Sequence, residues 1–536
     1  MPTKLTKILL AAILIFAIII RGYKIDVLPS LNPDEAALGY NAYSLLQTGK
    51  DEHGTQWPIH FKSFGDYKPG GYVYLALPVI KVLGLTPLAV RLPNLIFSIL
   101  TIYILYKLVL LLTFDFQLST LTAFVLAVNP WHIHFSRGAW ESSTALFFII
   151  LGIYLFYSYI INRKSYIFLL SCLSFVASLY IYHSARLVTP LIVLFLLFSN
   201  LKFIVNNLKL ILLPTLIAIL FTIPVFISFI NNGGTARLGG VGLTADRGPL
   251  SRSEELLNQH PQFNYFDRIV HNKRILYLLS WAQKYTSHYD ANFLFINGDD
   301  VPRSRSPEMG QLYLLELPLF ILGVIYLLKF SSSNILLPLT TALFLFSPIA
   351  SSLTFQAPSA LRALPLVIPF SITIAAGLLY FAKITQRYFP HNLFLITITY
   401  IFSLFYFVDA YFVHAPQRYP FAWNTGFSQE MKFVESQKSK YENIYFTDSY
   451  DQPYILYLFY NAYPPLKIQT QISLTSPDKY GFSTVNTIDN IHFGKIDWDT
   501  IPSHSLVIAG YEKIPAVPLA SVVQAGGTIG FRIYEK

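Results

Sequence analysis

The sequence predicts an all-α polytopic membrane bundle of about eleven transmembrane helices, with extracytoplasmic loop helices and a small C-terminal α/β domain. Of the 536 residues, 54% are hydrophobic and 13% are charged, whereas a soluble domain has about 25% charged residues. Apolar runs of about 18 residues or more, the length needed to cross a bilayer, recur along the chain. After residue 413 the composition becomes mixed polar, which is typical of a domain outside the membrane.

Hydropathy places the individual helices. The predicted spans are 7–22, 88–113, 117–134, 143–161, 166–182, 187–201, 209–230, 311–329, 335–353, 363–383 and 391–413. The first span follows Lys4 and Lys7 without a small-residue cleavage site after it, so we interpret it as an uncleaved signal anchor. The apolar stretch 72–84 is short and bounded by glycines, which favours an interfacial or re-entrant helix.

Basic residues give the orientation, because cytoplasmic loops are enriched in Lys and Arg. One set of helix ends, with Asp115 as its single acid, carries the basic residues Lys4, Lys7, Lys107, Arg163, Lys164, Lys202, Lys209, Lys329, Lys383 and Arg387. The opposite, extracytoplasmic face then receives the long loops 23–87 and 231–310 and the tail from 414. Because the net charge of +10 is spread over short loops, it indicates topology and no nucleic-acid partner.

The same division predicts two domains, a transmembrane domain at 1–413 and an extracytoplasmic α/β domain at 414–536. Candidate strands in the tail are 443–447, 506–509 and 529–534, where β-branched and aromatic residues concentrate. Cys172 is the only cysteine, so the sequence contains no disulfide framework.

The first outer loop begins with Asn-Pro-Asp-Glu at residues 32–35, a pattern that predicts a helix start. Asn suits the cap, Pro the first position, and acids the first turn. The helix is expected to end at Gly49, since glycine commonly follows a helix terminus. Asp34 and Glu35 either complement the helix dipole or carry chemistry at the membrane surface.

Cationic side chains on the same outer face are candidates for binding phosphate. Lys68, followed by Pro-Gly-Gly, occupies a tight return at headgroup depth. Arg137 lies four residues before Glu141, so the two share a helix face if that helix has begun. Arg186 opens a later helix on this face. The alternatives are interfacial snorkelling for Lys68 and Arg186, and an intrahelical ion pair for Arg137 with Glu141.

These motifs resemble those of GT-C membrane glycosyltransferases. Asn-Pro-Asp-Glu after the first helix, the Tyr-Lys-Pro return and the Ser-Arg-x-x-x-Glu motif are similar to glycosyltransferase family 39. That family includes the dolichyl-phosphate-mannose–protein mannosyltransferases and the related aminoarabinose transferases of lipid A. The resemblance covers about residues 25–230. It implies Asp34 as catalytic base, Lys68 at the donor phosphate, and Glu141 positioning the donor or a metal. Two departures are Tyr67, where lipid A-type relatives have an acid, and Glu141, where aspartate is commoner.

The predicted function is an integral membrane glycosyltransferase that moves a hexosyl- or pentosyl-type sugar from a polyprenyl-phosphate donor. The acceptor is a hydroxyl of a protein, a lipid or a cell-envelope glycan on the outer face. Asp34 and Glu35 are the candidate catalytic acids, and Lys68, Arg137 and Arg186 the candidate phosphate ligands. Membrane lipids are further partners, no nucleotide or redox cofactor is expected, and the use of a divalent cation is left open.

Two other functions fit a polytopic chain. A transporter or flippase for lipid-linked glycans would carry ionisable residues near mid-membrane, whereas the mid-helix positions of this chain are almost free of charge. A membrane scaffold whose tail binds a partner leaves the polar residues on the outer face unexplained. Both alternatives are therefore disfavoured.

Overall fold

The computed structural model describes residues 4–231, 242–259, 265–330, 335–388, 392–477, 483–524 and 526–536. Its helices are α1 (Lys4–Gly22), α2 (Pro33–Thr48), α3 (Gly71–Leu83), α4 (Pro87–Thr113), α5 (Phe116–Val128), α6 (Pro130–Ser136), α7 (Glu141–Asn162), α8 (Ser165–Ile181), α9 (Ala185–Ser199), α10 (Leu201–Asn206), α11 (Leu208–Asn231), α12 (Gly248–Asn258), α13 (Tyr265–Val270), α14 (Lys273–Thr286), α15 (Glu316–Phe330), α16 (Leu336–Phe346), α17 (Ile349–Ser352), α18 (Val367–Tyr388), α19 (Asn392–Asp409), α20 (Ala415–Arg418), α21 (Phe427–Gln437), α22 (Pro453–Tyr460) and α23 (Pro465–Gln471). Its strands are β1 (His60–Ser63), β2 (Asp66–Pro69), β3 (Asn443–Phe446), β4 (Thr487–Ile488), β5 (Ile491–Phe493), β6 (Ser505–Ala509), β7 (Ala520–Val523) and β8 (Ile529–Glu535).

The chain is a multi-pass membrane protein. Six described helices are long and apolar enough to cross a membrane: Lys4–Gly22, Pro87–Thr113, Glu141–Asn162, Leu208–Asn231, Leu364–Thr385 and Phe394–Arg418. Shorter apolar helices are Gly71–Leu83, Phe116–Val128, Ser165–Ile181, Ala185–Ser199 and Leu336–Ser352. Every predicted span coincides with an apolar helix, but the count of about eleven crossings stays a prediction. Residue 391 of the last span and residues 232–241 and 260–264 of the second loop lie outside the described residues.

The predicted span 117–134 is interrupted. The stretch 117–134 forms α5 and α6, which are separated at Asn129 with φ −63° and ψ 123°. The cause is Pro130, since the ring of a proline disfavours helical backbone at the residue before it. The prediction of one continuous helix here is therefore wrong.

The described chain divides into two compact units. Unit 1 comprises residues 1–17, 99–135 and 145–404, and unit 2 comprises residues 18–98, 136–144 and 405–536. Unit 2 thus combines the first loop with the C-terminal segment, and the predicted domain boundary between residues 413 and 414 stays a prediction.

Unit 1 is a helical bundle in which α15 and α18 cross with their backbones in contact. A Cβ atom at Gly323 would lie 1.8 Å from the carbonyl oxygen of Thr373, and one at Gly377 would lie 1.8 Å from that of Leu319. Small residues permit such close approach of apolar helices, and larger side chains at these two positions would separate them.

Unit 2 contains a six-stranded sheet with the order β4-β5-β3-β6-β8-β7. Strand β3 runs parallel to β5 and β6, and the other pairs are antiparallel. The predicted strands 443–447, 506–509 and 529–534 are confirmed as β3, β6 and β8. Helices α21 and α22 pack against this sheet, and their buried apolar residues form one core with those of α2, α3 and the β1–β2 hairpin.

The helix α2 begins and ends as the sequence predicts. Its cap residue Asn32 accepts the N–H of Glu35 at 3.0 Å, while the Glu35 carboxylate accepts the N–H of Asn32 at 3.2 Å, a reciprocal capping box. Gly49 ends the helix with φ 70° and donates its N–H to the carbonyl of Leu45. Most of α2 is buried, including Ala36 and Tyr40, so protein covers it on most sides.

Candidate active site

Glu35 is held from several directions at the first turn of α2. Arg91 donates Nε to Glu35 Oε1 at 2.8 Å and Nη2 to Oε2 at 2.7 Å, and the N–H of Ala139 also donates to Oε1 at 2.8 Å. The residue is 1% exposed. With both oxygens occupied by protein donors, Glu35 anchors the helix and is closed to an acceptor hydroxyl. A catalytic role for Glu35 stays a prediction.

Arg91, the partner of Glu35, is fully buried and was not identified from the sequence. Besides the carboxylate, its Nη1 binds the carbonyl oxygens of Ile25 at 2.7 Å and Pro29 at 2.8 Å. The arginine therefore ties the turn after α1 to the start of α2. A charge near the beginning of a long apolar run is the signal that identifies it, since charged side chains within membrane helices are rare and paired.

Asp34 faces the other way. Its side chain is 48% exposed and forms an ion pair with the ammonium of Lys68, which is 17% exposed. The pair therefore contains a carboxylate that can accept a proton and an ammonium that can bind a phosphate, in direct contact. The structure thus brings together the two residues that the sequence assigned to acceptor and donor.

The β1–β2 hairpin positions Lys68. In this hairpin Phe61 pairs with Lys68, and the connecting turn uses left-handed backbone at Phe64 and Gly65. The Lys68 ammonium lies 5.0 Å from the centroid of the Phe64 ring, within the range of a cation–π contact. At Gly70 a Cβ atom would lie 2.5 Å from the Phe61 ring, so the return after the hairpin leaves no space for a side chain.

Arg137 is placed differently from its prediction. It lies between α6 and α7, so it does not share a helix face with Glu141, the first residue of α7. Its guanidinium is fully buried and donates four hydrogen bonds of 2.7–2.9 Å to main-chain carbonyls. These acceptors belong to Ile20, Arg21, Tyr23 and Leu28. Arg137 thereby holds the backbone at the end of α1 and in the turn after it, and its predicted phosphate contact stays a prediction.

The roles of Glu141 in positioning the donor or a metal, and of Arg186 in binding phosphate, stay predictions. Glu141 is half-buried at the start of α7, within electrostatic range of Tyr72. Arg186 belongs to unit 1, where its Nε donates to the carbonyl of Leu179 at 3.1 Å and its guanidinium lies 5.9 Å from the Phe229 ring centroid.

The described residues contain no group of three or more His, Cys, Asp or Glu side chains that could hold a metal ion. Glu35 forms an ion pair with Arg91, and Asp34 forms one with Lys68. The two adjacent carboxylates therefore do not form a shared cation site in this geometry. We therefore derive no step through a metal.

No family model and no curated protein sequence matches the chain. Solved structures do, and they define the class of the fold: the chain has the fold of GT-C membrane glycosyltransferases. The predicted resemblance to this class is confirmed at the level of the fold.

Two of these structures are of ArnT from Cupriavidus metallidurans. The apo state matches with a TM-score of 0.53 and 11% identity over 98% of this chain and 97% of that chain. The crystal structure bound to undecaprenyl phosphate also has a TM-score of 0.53 and 11% identity, over 99% and 98% of the two chains. The likeness extends over both full lengths, well beyond the residues 25–230 that carried the sequence resemblance.

Proposed function

We propose that the protein transfers a sugar from a polyprenyl-phosphate donor to an acceptor hydroxyl at the outer surface of the membrane. The observation that carries the proposal is the ion pair of Asp34 and Lys68 at the start of α2. Displacement at an anomeric carbon requires a base for the incoming hydroxyl and positive charge for the departing phosphate, and this pair supplies both. A full-length structural match that binds undecaprenyl phosphate supports this donor class.

In the proposed reaction the acceptor oxygen attacks the anomeric carbon, and a new carbon–oxygen bond forms. The bond between that carbon and the phosphate oxygen breaks, and its electron pair leaves with the phosphate. Asp34 takes the hydroxyl proton, and Lys68 stabilises the charge that accumulates on the phosphate. Glu35 and Arg91 hold α2 so that Asp34 faces the reactants.

The ion pair implies an order of binding. While Lys68 contacts Asp34, the carboxylate is partly neutralised and is a poorer base. A donor phosphate competes for the ammonium, because phosphate offers several strong acceptor oxygens. Donor binding therefore releases Asp34 for the acceptor hydroxyl, so the donor binds before the acceptor reacts.

The outer membrane face is supported by the loop charges, which place residues 23–87 opposite the Lys- and Arg-rich helix ends. The sugar is of hexosyl or pentosyl type, and proteins, lipids and envelope glycans are the classes of acceptor to be tested.

The test uses the full-length protein in lipid nanodiscs with a panel of polyprenyl-phosphate sugars and candidate acceptors. Each reaction runs with a divalent cation and with a chelator, so the cation requirement is read directly. We expect transfer by the wild type and by Asp26→Asn, which changes an exposed acid of the same loop, and none by Asp34→Asn. Equal transfer by wild type and Asp34→Asn would refute the base assignment, and lipid translocation without transfer would support the transporter alternative.

A further inference from the structure

Glu52 is a buried carboxyl near the ion pair to which the proposed reaction gives no role. It lies in the turn after α2 and is 0% exposed. The side-chain amide of Asn41 donates to Glu52 Oε1 at 3.2 Å, and the N–H of Glu52 donates to Asn41 Oδ1 at 3.0 Å. Its second oxygen, Oε2, has no hydrogen-bond partner among the described residues.

Asn41 connects Glu52 to the reactive face of α2. It follows Asp34 by seven residues, about two helical turns, so the two side chains lie on the same face of the helix. Asn41 is itself fixed, since its amide also donates to the carbonyl of Ala37 at 2.9 Å. A buried carboxyl is thus held beside the helix face that presents Asp34.

Lys68 is the cation that acts on this carboxyl. The titratable and charged groups that interact electrostatically with Glu52 are Tyr40 on α2, Tyr454 on α22, Lys68 on β2, and Asp51 and His53 in its own turn. His53 Nε2 lies 3.8 Å from Glu52 Oε1, but burial lowers the pKa of His53 to about 4. At neutral pH, Lys68 is therefore the positive charge in this group of described residues.

Burial also determines the protonation state of Glu52. Desolvation raises its pKa to about 8, with a further increase from Asp51 and a decrease from Asn41 and Lys68. The carboxyl is therefore largely neutral at pH 7 and ionises in the alkaline range.

We propose that Glu52 is a positioning residue that competes with the donor phosphate for Lys68. In its neutral form Glu52 leaves the ammonium to the phosphate. As a carboxylate it attracts the ammonium and weakens donor binding. This inference rests on the proposed function, because it takes Lys68 as the phosphate ligand.

The proposal is tested by the affinity of the full-length protein in nanodiscs for undecaprenyl phosphate at pH 7, 8 and 9. If donor binding raises the pKa of Glu52 by one unit, linkage predicts roughly fivefold weaker binding at pH 9 than at pH 7. Glu52→Gln should bind with little dependence on pH, whereas the exposed-site control Glu442→Gln should behave like the wild type. Ionisation of the lipid phosphate is common to all variants and cancels in the comparison.

Two further variants separate the possible failures. Asn41→Ala keeps Glu52 but removes a hydrogen bond that lowers its pKa, so the alkaline loss of affinity should move to higher pH. This keeps the test decisive if Glu52→Gln fails to fold. Lys68→Ala with wild-type affinity would refute the proposed phosphate ligand and this inference with it. If Lys68→Ala weakens binding while Glu52→Gln and Asn41→Ala retain the wild-type pH dependence, only the role of Glu52 is refuted.

Discussion

The two sides of the first turn of α2 carry adjacent acids in opposite environments. Glu35 is buried, and three donor groups from Arg91 and Ala139 occupy its oxygens. Asp34 is half-exposed and pairs with Lys68 of the β1–β2 hairpin. Removing one partner of a buried pair costs about 3–5 kcal/mol, whereas an exposed pair contributes about 0–1 kcal/mol. One acid is therefore enclosed by protein donors, whereas its neighbour, the proposed base, is half-exposed.

The largest expected effect is the loss of catalysis in Asp34→Asn. Removing a general base lowers the rate by about 10²–10⁴-fold, so we expect kcat to fall by that amount. Because the Asp34 side chain is half-exposed, removing its charge costs little stability, and the melting temperature should stay within a few degrees of wild type. Steady-state transfer and thermal unfolding in detergent measure the two quantities. A large fall in melting temperature would show that Asp34, like Glu35, contributes substantially to the stability of the fold.

Arg91→Met should give the opposite result. It leaves Glu35 buried without its cation, so the free energy of unfolding should fall by about 3–5 kcal/mol. Activity is lost because the helix that presents Asp34 is no longer fixed. Denaturant unfolding of the purified protein measures this, with the exposed-site variant Arg252→Met as a control. Wild-type stability in Arg91→Met would contradict the anchor role of the Glu35–Arg91 pair.

A third carboxyl sharpens the comparison, since Glu52 is buried without a full set of partners. Its pKa in the folded protein, about 8, exceeds the ordinary value of 4.5, so the native state holds a proton that the unfolded chain has lost. The contribution of Glu52 to the free energy of unfolding is therefore fully present below about pH 4.5 and is lost as the pH rises to about 8. The free energy of unfolding of Glu52→Gln, relative to that of the wild type, should therefore rise by on the order of 2–4 kcal/mol between pH 5 and pH 8.5.

Melting temperatures of both proteins across this range test the prediction. The lowered pKa of His53 acts with the opposite sign, raising stability as pH rises from about 4 to its ordinary value of 6.5. Both proteins contain His53, so the difference between them isolates Glu52. Parallel pH curves would mean that Glu52 is already ionised at neutral pH.

The smallest expected effect is that of Lys68→Met on donor binding. A hydrogen bond to a charged group contributes about 1.5–3 kcal/mol, which corresponds to an increase of about 10–150-fold in KM for the polyprenyl-phosphate donor. The KM for the acceptor should change much less, because Lys68 contacts the leaving group. Lys62→Met, in the neighbouring strand β1, is the matched control. If only the KM for the acceptor increased, Lys68 would bind the acceptor, and its assignment to the donor phosphate would be wrong.

The helix start at residues 32–35 could be predicted from the sequence because capping is local. The capping box joins residues three positions apart, and every group in it is visible in the sequence. Which of the two acids is buried could not be predicted in the same way. That distinction is made by Arg91, which reaches Glu35 across 56 positions of the chain, and neither local pattern nor helix propensity contains this contact.

The main-chain contacts of Arg137 could not be predicted for a related reason. The sequence shows a cation near the membrane surface, but its acceptors are carbonyl oxygens at the end of α1 and in the turn after it. Every residue has a main-chain carbonyl acceptor. Only the folded path of the backbone shows which of these carbonyl groups lie close enough together to bind one guanidinium. By contrast, the break at Asn129 had a sequence signal, the proline after it.

The packing of α2 against α22 has a consequence for biosynthesis. Gly39 has no space for a Cβ atom beside Phe459, and the hydroxyl of Tyr40 binds the carbonyl oxygen of Tyr463, a residue 423 positions later. The ribosome therefore makes α2 423 residues before it makes the carbonyl group that binds Tyr40. A nascent chain released before that point can enter the membrane with Asp34 in place and still lack the partners that immobilise it.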